Sequence, residues 1–242
     1  MCNLTRKRMA LELIDGLGAQ SFFELGVGRG DVLLALGERG MRGYGIDFSA
    51  ESIAICRLKI GAQHLEDRLR VEQGDLFALN SDERFDLAIA FEVLEHIEDD
   101  RGAIARIRAL LTPRGHFMVS VPAHQRKWGA TDVWAGHVRR YERTYLIEKL
   151  STAGFDIVSF RSYGYPLLNF TRFARNLIYA RAAKQDESTV ERSAHSATAL
   201  PGPVRRLRPL IPAYAWLVYQ TQRPFLAGDR GEGYFVLARR RD

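Results

Sequence analysis

The sequence lacks the features that define several classes of protein. Its 242 residues include only two cysteines, Cys2 and Cys56, which are too few for a disulfide framework and fit a reducing compartment. No uninterrupted apolar run approaches about 18 residues, so we expect no transmembrane helix. Residues 1–17 contain no apolar core long enough for a signal peptide. Because 46% of the residues are hydrophobic, the composition predicts a folded protein rather than a disordered one. With few cysteines and no signal peptide, we expect a cytoplasmic protein, with membrane association as an alternative.

The net charge of +6 is unevenly distributed along the chain. Residues 1–120 carry a formal charge of −4, whereas residues 121–242 carry +10. An excess of basic side chains is typical of a protein with an anionic partner, such as a phosphate, a nucleic acid or a membrane surface. It is equally typical of a solvated, arginine-rich surface, so the charge alone does not choose between a partner and a surface.

Strand and helix patterns alternate along the first two thirds of the chain. Short apolar runs predict strands at residues 21–25, 43–47, 69–73, 85–91, 116–121, 155–162 and 231–239. Between them, the spacing of apolar residues and the capping residues predict helices at residues 5–17, 31–36, 50–60, 104–111 and 144–153. Strands joined by helix-length connections favour βαβ units and a parallel sheet.

The segment before the last strand, residues 163–230, exceeds what this α/β pattern needs. Within it we expect helices over residues 166–183 and 203–219, separated by a loop over residues 184–202. Its aromatic and arginine side chains suit a helical lid within a single domain of residues 1–242, or a peripheral membrane contact through residues 163–225. A nucleic-acid groove is disfavoured, because no recognised RNA-binding module is visible.

A glycine-rich turn, ELGVGRG, follows the first strand and opens a helix. Gly26, Gly28 and Gly30 allow a tight turn and let a ligand approach the backbone. A dinucleotide fingerprint would need its third glycine at position 31, which is Asp31. Glu24, two residues before the first glycine, would repel a pyrophosphate but suits a cationic ligand.

Acidic residues also lie at the ends of the next two strands. Asp47 ends the second strand, where its carboxylate can accept hydrogen bonds from both hydroxyls of a ribose. Asp75 follows the third strand, where it can accept from an exocyclic amine while Leu76 and Phe77 pack on an adenine ring. Because the carboxyl ends of parallel strands meet at one edge of a sheet, these groups predict a single ligand site.

Taken in order, the motifs ELGVGRG, GIDFS, GDLF, FDLAIAFEVLEHI and LLTPRGHFMVSVP resemble those of class I S-adenosylmethionine-dependent methyltransferases over residues 20–122. The resemblance implies a Rossmann-like, mostly parallel sheet of seven strands with helices on both faces. It also implies an antiparallel last strand between the fifth and sixth, reached through the helical insertion. The implied cofactor is S-adenosylmethionine, with ten binding residues: Glu24, Gly26, Gly28, Gly30, Asp47, Phe48, Asp75, Leu76, Phe91 and Glu92.

The segment EVLEH follows the fourth strand and is predicted to start a helix. Glu92, Glu95 and His96 would then share one face and could bind a divalent cation. EVLEH is similar to a segment of metal-assisted small-RNA 2′-O-methyltransferases and of polyprenyl catechol O-methyltransferases of quinone synthesis. That resemblance implies Mg²⁺ or Mn²⁺ bound by these three residues and His137, with His124 as the spare histidine. Alternatively, the acid and histidine line the pocket without a metal, as in many class I members.

Residues 122–142 form a predicted loop after the fifth strand, and their GHVRRYE segment resembles a loop of a bacterial branch of these methyltransferases. His137 is predicted to act as a base or metal ligand, and Arg139 or Arg140 to bind an anionic group of the substrate. Alternatively, an arginine pairs with Asp132 or Glu142 and fixes the loop. The predicted catalytic residues are His137, His96 and Arg140.

These observations together predict an enzyme that methylates an oxygen, or a nitrogen, of a small-molecule, glycan or lipid-like acceptor. Two alternatives remain open: an RNA 2′-O-methyltransferase, and a protein that binds S-adenosylmethionine without turning it over. Aminopropyl transfer on the same fold is disfavoured, because the basic second half does not suit a polyamine.

Overall fold

The computed structural model describes residues 2–182 and 211–242. Seven strands form one sheet: β1 (Ser21–Leu25), β2 (Arg42–Asp47), β3 (Leu69–Gln73), β4 (Phe85–Phe91), β5 (Leu111–Pro122), β6 (Phe155–Tyr163) and β7 (Gly233–Arg240). The helices of the described residues are α1 (Cys2–Ile14), α2 (Asp31–Gly37), α3 (Ala50–Ala62), α4 (Asp100–Ala109), α5 (Ala130–Ala135), α6 (Arg143–Thr152), α7 (Leu167–Ala182) and α8 (Ile211–Gln222).

The strand order is β3-β2-β1-β4-β5-β7-β6. The pairs β1–β2, β1–β4, β2–β3 and β4–β5 are parallel, whereas β7 is antiparallel to both of its neighbours. The predicted architecture is therefore confirmed, including the antiparallel last strand between the fifth and sixth. Its parallel strands direct their carboxyl ends to one edge, which is where open α/β sheets bind ligands.

Helices cover both faces of the sheet, and the sequence of β1 shows why. Phe22 and Phe23 are adjacent and both fully buried, since successive side chains of a strand point to opposite faces. Phe22 packs in the hydrophobic cluster that includes Leu33 of α2, and Phe23 packs in the cluster that includes Ile104 of α4. A strand buried on both faces reads as a continuous apolar run, as SFFEL does.

Capping side chains begin two of the helices. Ser49 Oγ accepts a hydrogen bond from the Ser52 N–H at 3.2 Å, which confirms Ser49 as the N-cap of α3. Asp99 Oδ1 accepts from the Gly102 N–H at 2.9 Å and caps α4. The prediction that this second helix begins at Ile104 is therefore wrong by one turn.

Two other predicted boundaries differ from the structure. The segment TPRG does not separate α4 from β5 but lies inside β5, where Leu111 pairs with Phe85 and His116 pairs with Leu87. The four residues between these pairs form an irregularity in the strand, which local turn signals cannot distinguish from a loop. Helix α1 spans Cys2–Ile14 rather than residues 5–17.

Helix α7 confirms the first predicted helix of the insertion, and α8 overlaps the second. The predicted loop over residues 184–202 and the start of the second predicted helix lie outside the described residues. Helix α7 packs against α5, and α8 packs against α1 and α7. Across the two described segments, every helix is too short or too polar to cross a membrane.

Candidate active site

The glycine-rich turn joins β1 to α2 at the carboxyl edge of the sheet. Gly26, Gly28 and Gly30 all have a positive φ, of 76°, 49° and 75°. A Cβ on Gly26 would lie 2.4 Å from Cγ2 of Val93, so this position also requires glycine for packing. A Cβ on Gly28 would meet no atom of the described residues within 4 Å, so the turn is open there. The predicted tight turn is therefore present, and ligand binding by its backbone stays a prediction.

Glu24 lies on β1 directly before this turn. It is buried, and among the described residues its Oε2 has no hydrogen-bond partner. Burial and then the nearby Asp31 and Asp47 raise the pKa of Glu24 well above its usual value. A buried carboxylate with one oxygen lacking a hydrogen bond is costly, and a cationic group placed beside it would reduce that cost.

Asp47 ends β2, and the backbone fixes its carboxylate. Oδ2 accepts a hydrogen bond from the Gly28 N–H and Oδ1 accepts one from the Ser49 N–H, each at 2.9 Å. Burial raises the pKa of Asp47, although these two hydrogen bonds lower it. Each oxygen keeps a second lone pair, so the carboxylate can still accept from two vicinal hydroxyls.

The end of β3 lies beside the end of β2, since the Gly74 N–H donates to the Asp47 carbonyl at 3.0 Å. Asp75 is exposed there, and its Oδ1 accepts from the Phe77 N–H at 2.9 Å. Leu76 is buried, whereas Phe48 and Phe77 are 45% and 42% exposed. We call the glycine-rich turn and the ends of β1, β2 and β3 the cofactor side of the site.

Cys56 lies behind the glycine-rich turn and is fully buried, as predicted for a core residue. Its Sγ–H donates to the Gly28 carbonyl at 3.3 Å. Burial raises the pKa of Cys56 to about 12, so the thiol stays protonated and unreactive.

Glu92 directly follows β4 and has a φ of 56°, in the left-handed region. Because that conformation interrupts a helix, the predicted helix starting at Glu92 is wrong, and only a 3-10 turn over Leu94–His96 forms. The Glu92 carboxylate turns instead toward Ser120 and Tyr163, whose hydroxyls donate to Oε1 at 3.0 Å. Arg6 lies 3.5 Å from Oε2 and balances its charge.

Glu95, His96 and His137 do come together, and their ligand atoms all lie within 4.8 Å of one another. Within residues 2–182 and 211–242 they are the single group of this kind, and Glu92 is not a member of it. The two imidazole rings meet edge to face at 4.9 Å between centroids, and His137 Nε2 lies 3.8 Å from Glu95 Oε1. We call these three residues the Glu-His-His cluster.

Glu95 has the most unusual environment in this cluster. Its side chain is fully buried, and neither carboxylate oxygen has a hydrogen-bond partner among the described residues. Burial, and then the charge of Glu92, raise the pKa of Glu95 well above its usual value. A carboxylate so placed suits a site that receives a cation.

The two histidines present the same nitrogen to the cluster. His137 Nδ1 lies 2.8 Å from Asp132 Oδ1, and His96 Nδ1 lies 3.1 Å from the Gly136 carbonyl. Because these oxygens accept hydrogen bonds, each Nδ1 carries a hydrogen and the neutral ring has its lone pair on Nε2. Burial and then His137 lower the pKa of His96 to about 4, so that His96 is neutral at pH 7. Metal-ligating histidines require this protonation pattern.

The arginines of the GHVRRYE segment bind buried acids. Arg140 Nε donates to Asp132 Oδ1 at 2.8 Å, and its Nη1 donates to the Ala123 carbonyl at 3.0 Å. Arg139 Nη1 lies 2.8 Å from Asp100 Oδ2. The structure thus shows the alternative in which an arginine pairs with Asp132 and fixes the loop. A substrate-binding role for Arg140 remains a prediction.

Several contacts tie the 3-10 turn Leu94–His96 to residues 122–142, which we together call the acceptor side. The Val138 N–H donates to the Glu95 carbonyl at 2.8 Å, and Tyr141 Oη lies 3.2 Å from the Leu94 carbonyl. His124 has a different environment, since its ring nitrogens face Glu142 and Asp229 at 3.3 and 3.5 Å.

Two features of the site were not predicted from the sequence. One is the buried Asp100, and the other is the pairing of Asp132 with His137. Asp132 precedes His137 by five residues, a spacing at which side chains on a helix do not meet. They meet because α5 ends after Ala135 and Gly136 reverses the chain with a φ of 75°. The one signal of this reversal was a glycine directly before the histidine.

Comparisons with known proteins identify the family and the fold of the chain. A family model described as a methyltransferase domain matches residues 5–160. The ubiquinone biosynthesis O-methyltransferase of Rhodopseudomonas palustris strain TIE-1 is 31% identical over 118 residues, which are 48% of this chain and 44% of that protein. The protein of the same name from Alkalilimnicola ehrlichii is 27% identical over 118 residues, 49% and 48% of the two chains. The chain thus matches less than half the length of these relatives.

Among solved structures, the S-adenosylmethionine-dependent methyltransferase from Mesorhizobium loti superimposes with a TM-score of 0.62. The match covers 97% of this chain and 98% of that one at 20% identity, which shows a shared fold. The family model spans well over half of the chain and includes the glycine-rich turn, Asp47, Asp75 and the Glu-His-His cluster. The chain therefore belongs to the methyltransferase-domain family, whose cofactor is S-adenosylmethionine.

Proposed function

We propose that this protein is an S-adenosylmethionine-dependent O-methyltransferase in which the Glu-His-His cluster holds Mg²⁺ or Mn²⁺ beside the acceptor hydroxyl. The observation that carries the proposal is Glu95, a fully buried carboxylate whose oxygens have no hydrogen-bond partner among the described residues. Two histidines face it with their lone pairs on Nε2. Such an acid is costly to bury unless a cation compensates it.

The cofactor side has the groups that S-adenosylmethionine needs. Glu24 would attract the cationic methionine end, and the oriented carboxylate of Asp47 would accept from the ribose hydroxyls. Asp75, with Leu76, would bind the adenine. The bound cofactor supplies a methyl group that is already electrophilic on its sulfonium, so the protein needs only to position the acceptor, exclude water and manage one proton.

The acceptor side suits a substrate whose reacting hydroxyl has a second oxygen on the neighbouring atom. A divalent ion supplies Lewis acidity there, which lowers the pKa of a bound hydroxyl and orients it. Because the cluster offers three protein ligands, an ion held there would have positions left for two neighbouring acceptor oxygens, as in a catechol or a vicinal diol. The relatives named as ubiquinone biosynthesis O-methyltransferases support oxygen rather than nitrogen as the acceptor atom.

A metal-independent route uses the same residues differently. His137 Nε2 would then take the proton of the acceptor hydroxyl as a general base, while Asp132 holds Nδ1–H. In this case chelators leave the activity unchanged, so the two routes are separable by experiment.

The test is methyl transfer from labelled S-adenosylmethionine to catechols, vicinal diols and their monohydroxy analogues. We expect chelator-treated enzyme to be inactive, and Mn²⁺ or Mg²⁺ to restore transfer to acceptors with adjacent oxygens. Glu95→Gln should abolish this restoration, whereas Glu98→Gln, the same change at an exposed position of the same segment, should not. Full activity in excess chelator would contradict the metal. Tight cofactor binding with no transfer would favour the non-catalytic alternative.

The insertion of residues 163–230 supports a further proposal about the acceptor, namely that it is lipid-like and enters beside a lid. Thr131 Oγ1 of α5 donates to Asn176 Oδ1 of α7 at 2.7 Å, which joins the insertion to the acceptor side. Phe170 is 80% exposed and Leu177 is 48% exposed. Seven residues apart on α7, they share one face.

Co-sedimentation with anionic and neutral liposomes tests this lipid contact. We expect the wild type to sediment with vesicles and Phe170→Ser to sediment less. Leu58→Ser is the matched control, because Leu58 is 75% exposed on α3, outside the insertion. A wild type that stays in the supernatant with both vesicle types would contradict the contact.

A further inference from the structure

We infer that Asp132 is a positioning residue, which fixes the His137 ring so that Nε2 rather than Nδ1 faces Glu95. The inference deepens the proposed function and rests on it for the consequence in methyl transfer. The orientation of the His137 ring is inferred from geometry alone.

The Asp132 carboxylate is fully buried and surrounded by hydrogen-bond donors. Oδ1 accepts from His137 Nδ1 and from Arg140 Nε, both at 2.8 Å, and Oδ2 accepts from the Gly129 N–H at 2.9 Å. Because Arg140 Nε and the Gly129 N–H already donate to this carboxylate, it acts as an acceptor toward His137 as well, and the proton that they share lies on Nδ1.

The backbone around Asp132 holds the rest of the histidine. The His137 N–H donates to the Asp132 carbonyl at 3.0 Å, so the main chain closes a loop around the side-chain contact. Within that loop the Gly136 carbonyl accepts from His96 Nδ1. One turn of chain therefore sets the nitrogen that each histidine presents, and Nε2 of His137 lies 3.8 Å from Glu95 Oε1.

A second buried carboxylate, Asp100, holds the same loop without a hydrogen bond to His137, and so provides a matched control. Asp100 Oδ2 lies 2.8 Å from Tyr141 Oη and from Arg139 Nη1, and Oδ1 bonds to Lys149. Both acids anchor residues of the GHVRRYE segment. Loss of either should loosen the loop, but only loss of Asp132 should change the His137 tautomer.

The experiment is ¹⁵N NMR of the histidine side chains in the full chain, with the His137 signals assigned from the His137→Gln spectrum. We expect the wild type to carry the His137 proton on Nδ1. In Asp132→Asn the NH₂ group of the carboxamide cannot accept a hydrogen bond, so wherever it faces His137 the Nδ1–H loses its acceptor, and Nδ1–H should no longer be the only tautomer. Asp132→Glu should restore it, and Asp100→Asn should keep it.

Calorimetric titration with Mn²⁺ gives a second readout. Removal of a residue that orients a metal ligand weakens metal binding roughly 10–100-fold. We expect that loss for Asp132→Asn, with unchanged S-adenosylmethionine affinity, and no comparable loss for Asp100→Asn.

An Nε2–H tautomer in the wild type would overturn the inference, as would an Nδ1–H tautomer retained in Asp132→Asn or an equal change in both variants. The wild-type spectrum decides even if Asp132→Asn does not fold. If the wild type binds no Mn²⁺, the metal in the proposed function is wrong, while the tautomer comparison still decides the role of Asp132.

Discussion

On the cofactor side of the site, backbone groups hold the acidic side chains, whereas on the acceptor side the side chains hold one another. Asp47 accepts from the N–H groups of Gly28 and Ser49. Asp132 accepts instead from the side chains of His137 and Arg140 as well as from one backbone N–H. The contacts of Asp47 therefore depend on the backbone of a short local motif. The contacts of Asp132 depend on particular side chains, so the substitution of either partner would remove one of them.

This difference also explains part of the uneven charge of the chain. The basic second half, with its formal charge of +10, contains Arg139 and Arg140. Arg139 binds Asp100 of the first half, so this pair contributes to the difference, whereas Arg140 binds Asp132 of its own half and leaves the charge of +10 unchanged. An anionic partner of the second half would therefore contact other basic residues.

His137→Ala should distinguish the roles of the two sides most clearly. Because His137 lies on the acceptor side, its loss should lower kcat by about 10²–10⁴-fold, the range for removal of a group that manages a proton. The affinity for S-adenosylmethionine, measured by calorimetry, should not change. Unchanged turnover would refute the catalytic role of His137.

Asp47→Ala should give the opposite pattern with a smaller effect. Loss of hydrogen bonds to a charged group costs about 1.5–3 kcal/mol, so the Kd for S-adenosylmethionine should rise roughly 10–100-fold. With saturating cofactor, kcat should stay near that of the wild type. A fall in kcat with unchanged cofactor affinity would contradict the assignment of Asp47 to cofactor binding.

Glu95→Gln should stabilise the metal-free protein. Burial raises the pKa of Glu95 above its unfolded value of 4.5, so ionisation opposes folding, and the wild type loses stability as the pH rises through the folded pKa. Glutamine does not ionise, so the variant should be more stable by about 1–3 kcal/mol near pH 8, with no gain near pH 4. Urea unfolding at both pH values measures this, and a destabilised variant near pH 8 would contradict it.

Ser49→Ala should have the smallest effect, because it removes a helix cap and leaves the backbone contact to Asp47 in place. The lost hydrogen bond to the Ser52 N–H should cost about 1 kcal/mol of unfolding free energy. Cofactor affinity should be unchanged, since Asp47 binds the Ser49 backbone rather than its hydroxyl. A large loss of cofactor affinity would show that the cofactor side also depends on side-chain contacts.

The local structure of the cofactor side was predictable from the sequence because its signals are local, while the binding roles of its residues stay predictions. The glycine-rich turn, the acid at the end of β2 and the Ser49 cap each follow from a few adjacent residues. The convergence of Glu95 with His96 was also predicted, from helical spacing, and the addition of His137 was predicted from a resemblance. The position of Glu92 outside the cluster was not predicted. Its left-handed backbone and its contacts with Ser120 and Tyr163 depend on distant strands.

Spectroscopy of bound Mn²⁺ tests most directly whether the Glu-His-His cluster binds a metal. Chelator-treated protein is titrated with Mn²⁺, and the bound ion is examined by electron spin-echo envelope modulation for coupling to imidazole nitrogen. We expect one ion per chain with two imidazole nitrogens, one imidazole nitrogen in His137→Gln, and no tight binding in Glu95→Gln. Absence of binding to the wild type, or binding that Glu95→Gln leaves unchanged, would show that the cluster is not a metal site.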